Sequence, residues 1–181
     1  DSEVPVQSFK KSQSLLDPRL ELAKENWKNN PTQIKTEGLL LKESRVNIKP
    51  GKEIIALELN TTGVIRKLEI NNPQEPNDPL NDFWLKIYWD EDKEPSVNAP
   101  IPAFFINYPN LKDKWPNGEL KNLFVYAGKN GYACSFPMPF AKSVKIVLEN
   151  VGAEEREVLV RVFLEKRTQL PPNAMRFYAR Y

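Results

Sequence analysis

The chain has 181 residues and a nearly balanced charge, with 26 Lys and Arg against 24 Asp and Glu, for a formal net charge of +2. The two signs are interspersed, so the composition indicates neither nucleic acid nor an anionic membrane as a partner. No apolar run approaches the roughly 20 residues that a membrane span needs. A chain of this length is expected to form one domain with a sizeable core.

Two absences limit the chemistry that this sequence can perform. It contains no histidine and a single cysteine, Cys134. This excludes Ser-His-Asp and Cys-His nucleophile systems, an internal disulfide and most zinc, copper and iron sites. Carboxylates, Arg, Lys, Tyr and Ser remain, and we assign no cofactor and no metal site. Cys134 lies in an aromatic-flanked run, which is typical of a buried and inert thiol.

Residues 18–29 have the pattern of one amphipathic helix. Asp17 and Pro18 provide an N-cap residue followed by proline at the first helical position. Apolar residues then recur at helical spacing until the run ends at Asn29-Asn30-Pro31. We therefore predict an N-terminal arm, residues 1–37, that carries a short helix.

From Gly38 onward the apolar residues recur with a period of two, which is typical of β-strands. The sequence predicts strands at 39–42, 53–59, 64–70, 83–89, 122–126, 132–136, 143–149, 157–166 and 175–181. Turn signals such as Lys49-Pro50-Gly51 separate them, and no helical pattern lies between them to make parallel crossovers. The predicted fold class is therefore all-β: an antiparallel jelly-roll β-sandwich, residues 38–181, with a short N-terminal helix.

Two proline-containing stretches interrupt the strand pattern. Gly131–Phe140 contains the sequence Pro-Met-Pro, and proline donates no backbone hydrogen bond. We therefore expect one strand to end near Phe136 and the next to begin near Ser143. Residues 94–118 are rich in proline and aromatic residues, and we expect a long irregular segment there. Such a segment is usually functional, and the alternative is an extended arm packed across an open sheet edge.

Arg66 is the first candidate for a binding residue. Simple alternation places it on the same strand face as Val64, Leu68 and Ile70. An arginine on an apolar face has to be paired, or has to project into a cleft where its guanidinium meets oxygen atoms. The sequence leaves a structural ion pair open as the alternative.

Trp89 and Asp90 are the other two candidates. Asp90 begins the densest acidic cluster, Asp90–Glu94, directly after an aromatic strand. Carboxylates beside aromatic rings suit sugar binding or glycoside hydrolysis, in which two carboxyl groups about 5–9 Å apart act on the glycosidic bond. We therefore expect Trp89 to stack on a sugar and Asp90 to accept hydrogen bonds from its hydroxyl groups. The alternative is an ordinary solvated turn.

With these segments in view, the sequence resembles the domain-of-unknown-function 2961 family, which overlaps glycoside hydrolase family 172. The matching segments follow one another in order from Gly63 to the C-terminal part of the chain. They are Gly63–Leu68, Leu85–Asp90, Glu94–Val97, Pro100–Phe105, Gly131–Phe140, Lys142-Ser143 and Leu170–Arg180.

The resemblance implies a tandem double jelly roll, an extracellular or periplasmic location, and action on fructofuranosides or arabinofuranosides. The family's two catalytic glutamates lie beyond the first jelly roll, so no residue of this chain is assigned a catalytic role. We expect the first jelly-roll module of such a carbohydrate-active protein, with Arg66, Trp89 and Asp90 as sugar contacts.

The resemblance also implies partners. These are a second jelly-roll domain, or other copies of the chain in a trimer or hexamer. The alternative is a non-catalytic carbohydrate-binding or oligomer-assembly module. Ser14–Arg19 favours this alternative, because it lacks the Gly-Gly segment that the family often places near its sugar pocket. The stripe of Arg176, Tyr178 and Arg180 could meet such a partner, or it could be a solvated face.

Overall fold

The computed structural model describes residues 21, 25, 36–106, 119–122 and 124–181. Glu21 and Glu25 are helical and exposed, and the rest of the helix predicted for residues 18–29 lies outside the described residues. Strands make up most of the described chain. They are β1 (Leu40–Ile48), β2 (Lys52–Asn60), β3 (Gly63–Asn71), β4 (Phe83–Trp89), β5 (Val97–Pro100), β6 (Leu120–Lys121), β7 (Val125–Gly128), β8 (Gly131–Cys134), β9 (Met138–Phe140), β10 (Ser143–Asn150), β11 (Arg156–Lys166) and β12 (Ala179–Arg180).

The described strands form two sheets. The large sheet has the order β1-β11-β3-β8-β7-β6, with β9 also paired to β3, and the small sheet has the order β12-β5-β4-β10-β2. The first four strands alternate between the two sheets, and the orders β1-β11-β3-β8 and β2-β10-β4-β5 are those of a jelly roll. All these pairs are antiparallel except β12 with β5. The predicted all-β jelly-roll sandwich is confirmed.

The core lies between the sheets and follows the predicted alternation. In β4 the residues Phe83, Leu85, Ile87 and Trp89 are fully buried, while the side chains between them are half-buried on the outer face. Strand β11 alternates in the same way from Val160 to Glu165, whereas Val158, Leu159 and Val160 near its start are all buried. A buried side chain of this size contributes about 1.5–3 kcal/mol each to folding, so these two central strands anchor the sandwich. Among the described residues, no helix is long and apolar enough to cross a membrane.

The Pro-Met-Pro corner differs from the prediction. Instead of a simple bend, Met138–Phe140 forms β9, in which Pro139 lies opposite Val64 of β3. Proline is tolerated there because β9 pairs with β3 alone among the described strands, so it is an edge segment. Met138 and Phe140 point into the core on either side of the proline. The expected start of a strand at Ser143 is confirmed by β10.

The irregular segment predicted for 94–118 is also more regular than expected in its described part. It contains β5, followed by a single helical turn, Ile101–Phe104. Pro100 and Pro102 fit because Pro100 ends the strand and Pro102 lies in the first turn of the helix, where a backbone donor is not needed. Residues 107–118 lie outside the described residues. At the C-terminus, the strand expected over 175–181 is reduced to β12.

Candidate functional site

Asp90 lies at the end of β4, where the backbone turns with a positive φ of 55°. Its Oδ1 accepts hydrogen bonds from three consecutive backbone N–H groups, those of Ala141 (2.7 Å), Lys142 (2.6 Å) and Ser143 (3.3 Å). Its Oδ2 accepts from Arg176, at 2.6 Å from Nε and 2.5 Å from Nη2. We name this group of residues the Asp90 corner.

The Asp90 corner holds a carboxylate in its ionised form. Partial burial alone would raise the pKa of Asp90, but the N–H of Lys142, the Arg176 guanidinium and the N–H groups of Ala141 and Ser143 outweigh it. The pKa therefore lies below its ordinary value of 3.8. Two carboxylate oxygens offer about four lone-pair sites, and five donors already approach them. The structure thus gives Asp90 a structural role in place of the predicted contact with sugar hydroxyls, whereas Glu91, Asp92 and Glu94 are exposed as in a solvated turn.

Trp89 does not present its ring to a ligand. Its exposed fraction is 0%, its ring stacks on Phe140 at 6.2 Å between centroids, and its Nε1 donates a hydrogen bond to the carbonyl of Phe177 at 2.8 Å. A fully buried ring whose Nε1 is hydrogen-bonded inside the protein has no exposed face on which a sugar could stack. The role predicted for Trp89 is therefore corrected to that of a core anchor, which follows from its place in the alternation of β4.

Arg66 lies on the outer side of the large sheet, not on the apolar face. The register of β3 against β11 shifts there: Lys67 pairs with Phe163 and Ile65 with Leu164, so Arg66 is the extra residue of a β-bulge. The bulge breaks the strict period of two, because Ile65 and Leu68 are both buried although three positions apart. The prediction that Arg66 shares a face with Leu68 and Ile70 is wrong for this reason.

The side chain of Arg66 makes an ion pair. Its Nε donates to Oε2 of Glu165 at 2.7 Å, and Glu165 also pairs with Arg167. The side chain of Arg66 stays 37% exposed. Its recorded partner lies on β11, whereas Asp90 is bonded to the β9–β10 connection and to Arg176. The structure therefore does not bring the three predicted residues together around one ligand.

A different set of side chains forms a groove on the outer face of the large sheet. One row of residues runs in register across six strands, and its members point away from the core. In order, they are Glu43, Arg161, Glu69, Ala133, Tyr126 and Lys121. Ala133 is the smallest of them and lies between Glu69 and Tyr126. We name the resulting depression the outer-sheet groove; its volume is about 460 Å³.

Tyr126 forms one wall of the outer-sheet groove, and its hydroxyl group takes part in two hydrogen bonds. The hydroxyl donates to Oε1 of Glu119 at 3.1 Å and is hydrogen-bonded by the backbone N–H of Asn130. The end of the ring lies over Gly128, where a Cβ atom would come within 2.6 Å of the hydroxyl oxygen. Burial, followed by Glu119, raises the pKa of Tyr126, so its hydroxyl remains a donor at neutral pH.

The charged groups of the groove are arranged in close pairs. Nζ of Lys67 lies 2.6 Å from Glu69, Nζ of Lys121 lies 2.9 Å from Glu119, and Nε of Arg161 lies 2.6 Å from Glu43. The hydrogen bond from Lys121 outweighs desolvation and holds the pKa of Glu119 below its ordinary value. Glu119 is therefore ionised at neutral pH, and it suits hydrogen-bond acceptance rather than proton donation to a leaving group. Among the described residues, no group of three or more His, Cys, Asp and Glu is placed to hold a metal ion.

The sequence alone does not single out the residues of this groove. The alternation of β11 places Arg161 outward, but cross-strand neighbours depend on register, and the bulge at Arg66 and the short strands β6 to β8 hide it. In the sequence Ala133 stands between Tyr132 and Cys134. Its small size indicates a depression only in the register that places it between Glu69 and Tyr126.

The chain can now be compared with known families. A family model described as GH172 domain-like matches residues 38–161. The chain belongs to this family. The match to the GH172 domain-like family begins at Gly38, where the strand pattern starts, and it contains every residue that lines the outer-sheet groove. Arg176 of the Asp90 corner lies outside the matched range. A search of curated proteins found no match to the chain.

Proposed function

We propose that this domain is a jelly-roll module of a carbohydrate-processing protein related to glycoside hydrolase family 172. It supplies scaffold and binding surface, and the catalytic glutamates lie outside this chain. Family membership supports the carbohydrate class. The pairing of the groove carboxylates with cations supports the proposal that the module alone does not hydrolyse its ligand. In the free groove Nζ of Lys121 lies 2.9 Å from Glu119 and lowers the pKa of that carboxyl group, whereas the general acid of a glycoside hydrolase is a protonated carboxyl group.

The class of sugar follows from the family resemblance and is part of this proposal. Fructofuranosides and arabinofuranosides are the expected ligands. Arg66 stays a candidate contact, since its side chain is partly exposed on the same outer face as the groove. Replacement of Arg66 by alanine in a folded variant should weaken sugar binding if Arg66 touches the ligand, and unchanged affinity would remove it from the site.

The experiment that tests the proposal uses the full 181-residue chain and a panel of arabinofuranosyl, fructofuranosyl and pyranosyl oligosaccharides. Isothermal titration calorimetry measures binding, and release of reducing ends measures hydrolysis. We expect binding of furanosyl members with no release of reducing ends. Hydrolysis by this chain would place a catalytic pair within it and contradict the proposal, and a Glu119→Gln variant would then show whether the groove carboxylate takes part.

A second function, as an assembly module, is favoured by one observation. Met175, Tyr178 and Tyr181 are largely exposed on the C-terminal segment, where large apolar groups would gain by being covered. The partner would be a second jelly-roll domain or further copies of the chain. Sedimentation velocity of the full chain tests this function: a trimer or hexamer without any glycan binding would favour assembly over carbohydrate recognition.

A further inference from the structure

We propose that one sugar ring of a neutral glycan binds in the outer-sheet groove, above Ala133 and against the ring of Tyr126, and that Lys121 moves aside to admit it. This inference rests on the proposed function, because it takes carbohydrate as the ligand class. It adds the place of binding, the charge of the ligand and the side chain that must move.

The dimensions of the groove come from strand spacing. Glu69 and Tyr126 flank Ala133 on neighbouring strands, so two strand spacings, about 10 Å, separate their backbones. Between them the methyl group of Ala133 is the only side chain of the row. The volume of about 460 Å³ lies in the range of about 300–1,000 Å³ that is usual for small-ligand sites.

Tyr126 has the properties of a binding platform. Its hydroxyl group is fixed by Glu119 and by the N–H of Asn130, and Gly128 leaves room for the end of the ring to lie close to the sheet. Little conformational entropy is therefore lost when a ligand packs on it. An aromatic ring offers an apolar surface to the C–H face of a sugar, while the polar groups around it meet the hydroxyl groups.

The polar lining matches a neutral, polyhydroxylated ligand. Carboxylate oxygens of Glu69 and Glu119 accept hydrogen bonds, the amide groups of Asn71 and Asn130 both donate and accept, and Arg161 donates. Sugar hydroxyl groups do both, so they can satisfy this mixture. Because each cation of the row has a carboxylate close by, the groove offers no uncompensated positive charge to an anionic chain.

Lys121 is the side chain that covers the platform. Its Nζ lies 5.7 Å from the centroid of the Tyr126 ring, yet the side chain is 48% exposed. An exposed lysine paired with one glutamate is held weakly. Glu119 keeps its hydrogen bond from Tyr126 when Lys121 leaves, so the platform stays in place while its face is uncovered.

The test compares two tyrosines in the same chemical setting. Tyr88 lies on the outer face of the small sheet with Nζ of Lys145 4.3 Å from its ring centroid, so it is a matched control for Tyr126. For the furanosyl oligosaccharide that binds best to the wild-type chain, we expect Tyr126→Ala to raise Kd at least about ten-fold, because a ring contact is lost. Tyr88→Ala should change Kd less than about two-fold, the scale of a residue outside the site. Equal effects of the two variants, or none, would overturn the groove while the wild-type affinity still supported the proposed function.

A second variant guards against loss of folding in Tyr126→Ala. Ala133→Leu keeps Tyr126 and fills the floor of the groove, and it should also weaken binding about ten-fold in a protein with wild-type circular dichroism. Unchanged affinity would overturn the proposal. If the wild-type chain binds no member of the panel, the proposed function itself fails and the groove assignment falls with it.

Salt dependence tests the charge of the ligand. Kd for a neutral oligosaccharide should change less than about two-fold between about 50 and 500 mM NaCl, because no net charge is neutralised on binding. A sulfated oligosaccharide serves as the anionic probe and should bind more weakly than the neutral one. Tighter, salt-sensitive binding of the sulfated probe that is lost in Tyr126→Ala would show that the groove accepts an anionic ligand and overturn the neutral assignment.

Discussion

The Asp90 corner and the outer-sheet groove contain the same kinds of residue but differ in what their carboxylates bind. In the corner, Asp90 accepts hydrogen bonds from three backbone N–H groups and from Arg176, and its side chain is only 17% exposed. In the groove, Glu69 and Glu119 are paired with lysine side chains instead. Backbone donors cannot leave without changing the fold, whereas side-chain donors can rotate away.

This difference separates a structural carboxylate from one that is available to a ligand. The corner connects β4 to the start of β10 and fixes the C-terminal segment through Arg176. The groove is lined by side chains on the outer face of the large sheet, whose strands pair through their backbones. Substitutions in the corner should therefore change stability, and substitutions in the groove should change binding.

The largest expected effect is at Asp90. Asp90→Ala removes the acceptor of three N–H groups and the partner of Arg176, and it places alanine at a positive φ, so we expect a loss of about 3 kcal/mol in the free energy of unfolding. Asp90→Asn keeps one acceptor oxygen and tolerates this φ, so it should cost about half as much. Urea denaturation followed by circular dichroism measures both.

A ligand contact at Asp90 would give the corner a role in binding as well as in stability. Folded Asp90→Asn protein should bind furanosyl oligosaccharides with wild-type affinity. A wild-type urea midpoint in Asp90→Ala would show that the corner does not hold the fold. A selective loss of affinity in Asp90→Asn would move the binding site to the corner, as the sequence first indicated.

The pH dependence of stability should carry the signature of the same carboxylate. Because the pKa of Asp90 is lowered on folding, its ionised form stabilises the protein above the unfolded pKa near 3.8, and this stabilisation is lost as the pH falls through the folded pKa. The difference in unfolding free energy between wild type and Asp90→Asn should be constant between about pH 7 and 5, and it should shrink below about pH 4.

Glu43 and Glu119 also have lowered pKa values, so the wild-type curve alone would not identify Asp90. Both glutamates are present in wild type and in Asp90→Asn, and their contributions cancel in the difference. A difference that stays constant down to pH 2 would show that the folded and unfolded pKa values of Asp90 are equal, contrary to its contacts.

The sandwich could be predicted from the sequence because burial repeats every second residue along most strands. Phe83–Trp89 has the predicted bounds, and Ser143 begins a strand as expected. The same alternation places the ring of Trp89 inside the sandwich, where the structure has it. The bulge at Arg66 and the edge strand around Pro139 could not be predicted, because both depend on which strand lies alongside.

The candidate site was harder to predict, since the groove is a property of register. Ala133 lies 64 residues after Glu69 and 7 residues after Tyr126 in the sequence. The three residues meet because β3, β8 and β7 pair in one particular register. Asp90 stands out in the sequence because it follows aromatic residues, which is a local pattern. Its partner Arg176 lies 86 residues away.

Gly128→Ala tests whether the position of the Tyr126 ring matters for binding. The added methyl group would meet the Tyr126 hydroxyl at 2.6 Å and Cγ of Glu119 at 2.9 Å, and both are side-chain atoms that can shift. We therefore expect the free energy of unfolding to stay within about 1 kcal/mol of the wild-type value. Kd should rise about five- to ten-fold, because the displaced ring loses part of its contact with the sugar. Calorimetry and urea denaturation of the same preparation measure both quantities.

Gly152→Ala is a control outside the groove, since its methyl group would also press on a carboxylate side chain, that of Asp82. It should leave Kd unchanged. Wild-type affinity in Gly128→Ala would show that sugar binding does not depend on the position of the Tyr126 ring over Gly128. The ring would then not be the fixed binding platform that we propose.

The smallest expected effect is a rise in sugar affinity, and it concerns Lys121, the side chain over the Tyr126 ring. If Lys121 must leave the Tyr126 ring before a sugar can bind, Lys121→Ala removes that cost, and affinity should rise by up to about five-fold, the upper range for an exposed ion pair. The pKa of Glu119 should move up toward its ordinary value in the same variant, since the hydrogen bond from Lys121 is the main cause of its lowering. NMR titration of the Glu119 carboxyl carbon follows this change independently of ligand.

Lys145→Ala is the matched control, because it uncovers Tyr88 in the same way on the other sheet. It should leave sugar affinity unchanged. Weaker binding in Lys121→Ala, with the Glu119 pKa shifted as expected, would mean that Lys121 contacts the ligand directly. Lys121 would then be a fixed part of the groove, as Arg176 is a fixed part of the Asp90 corner.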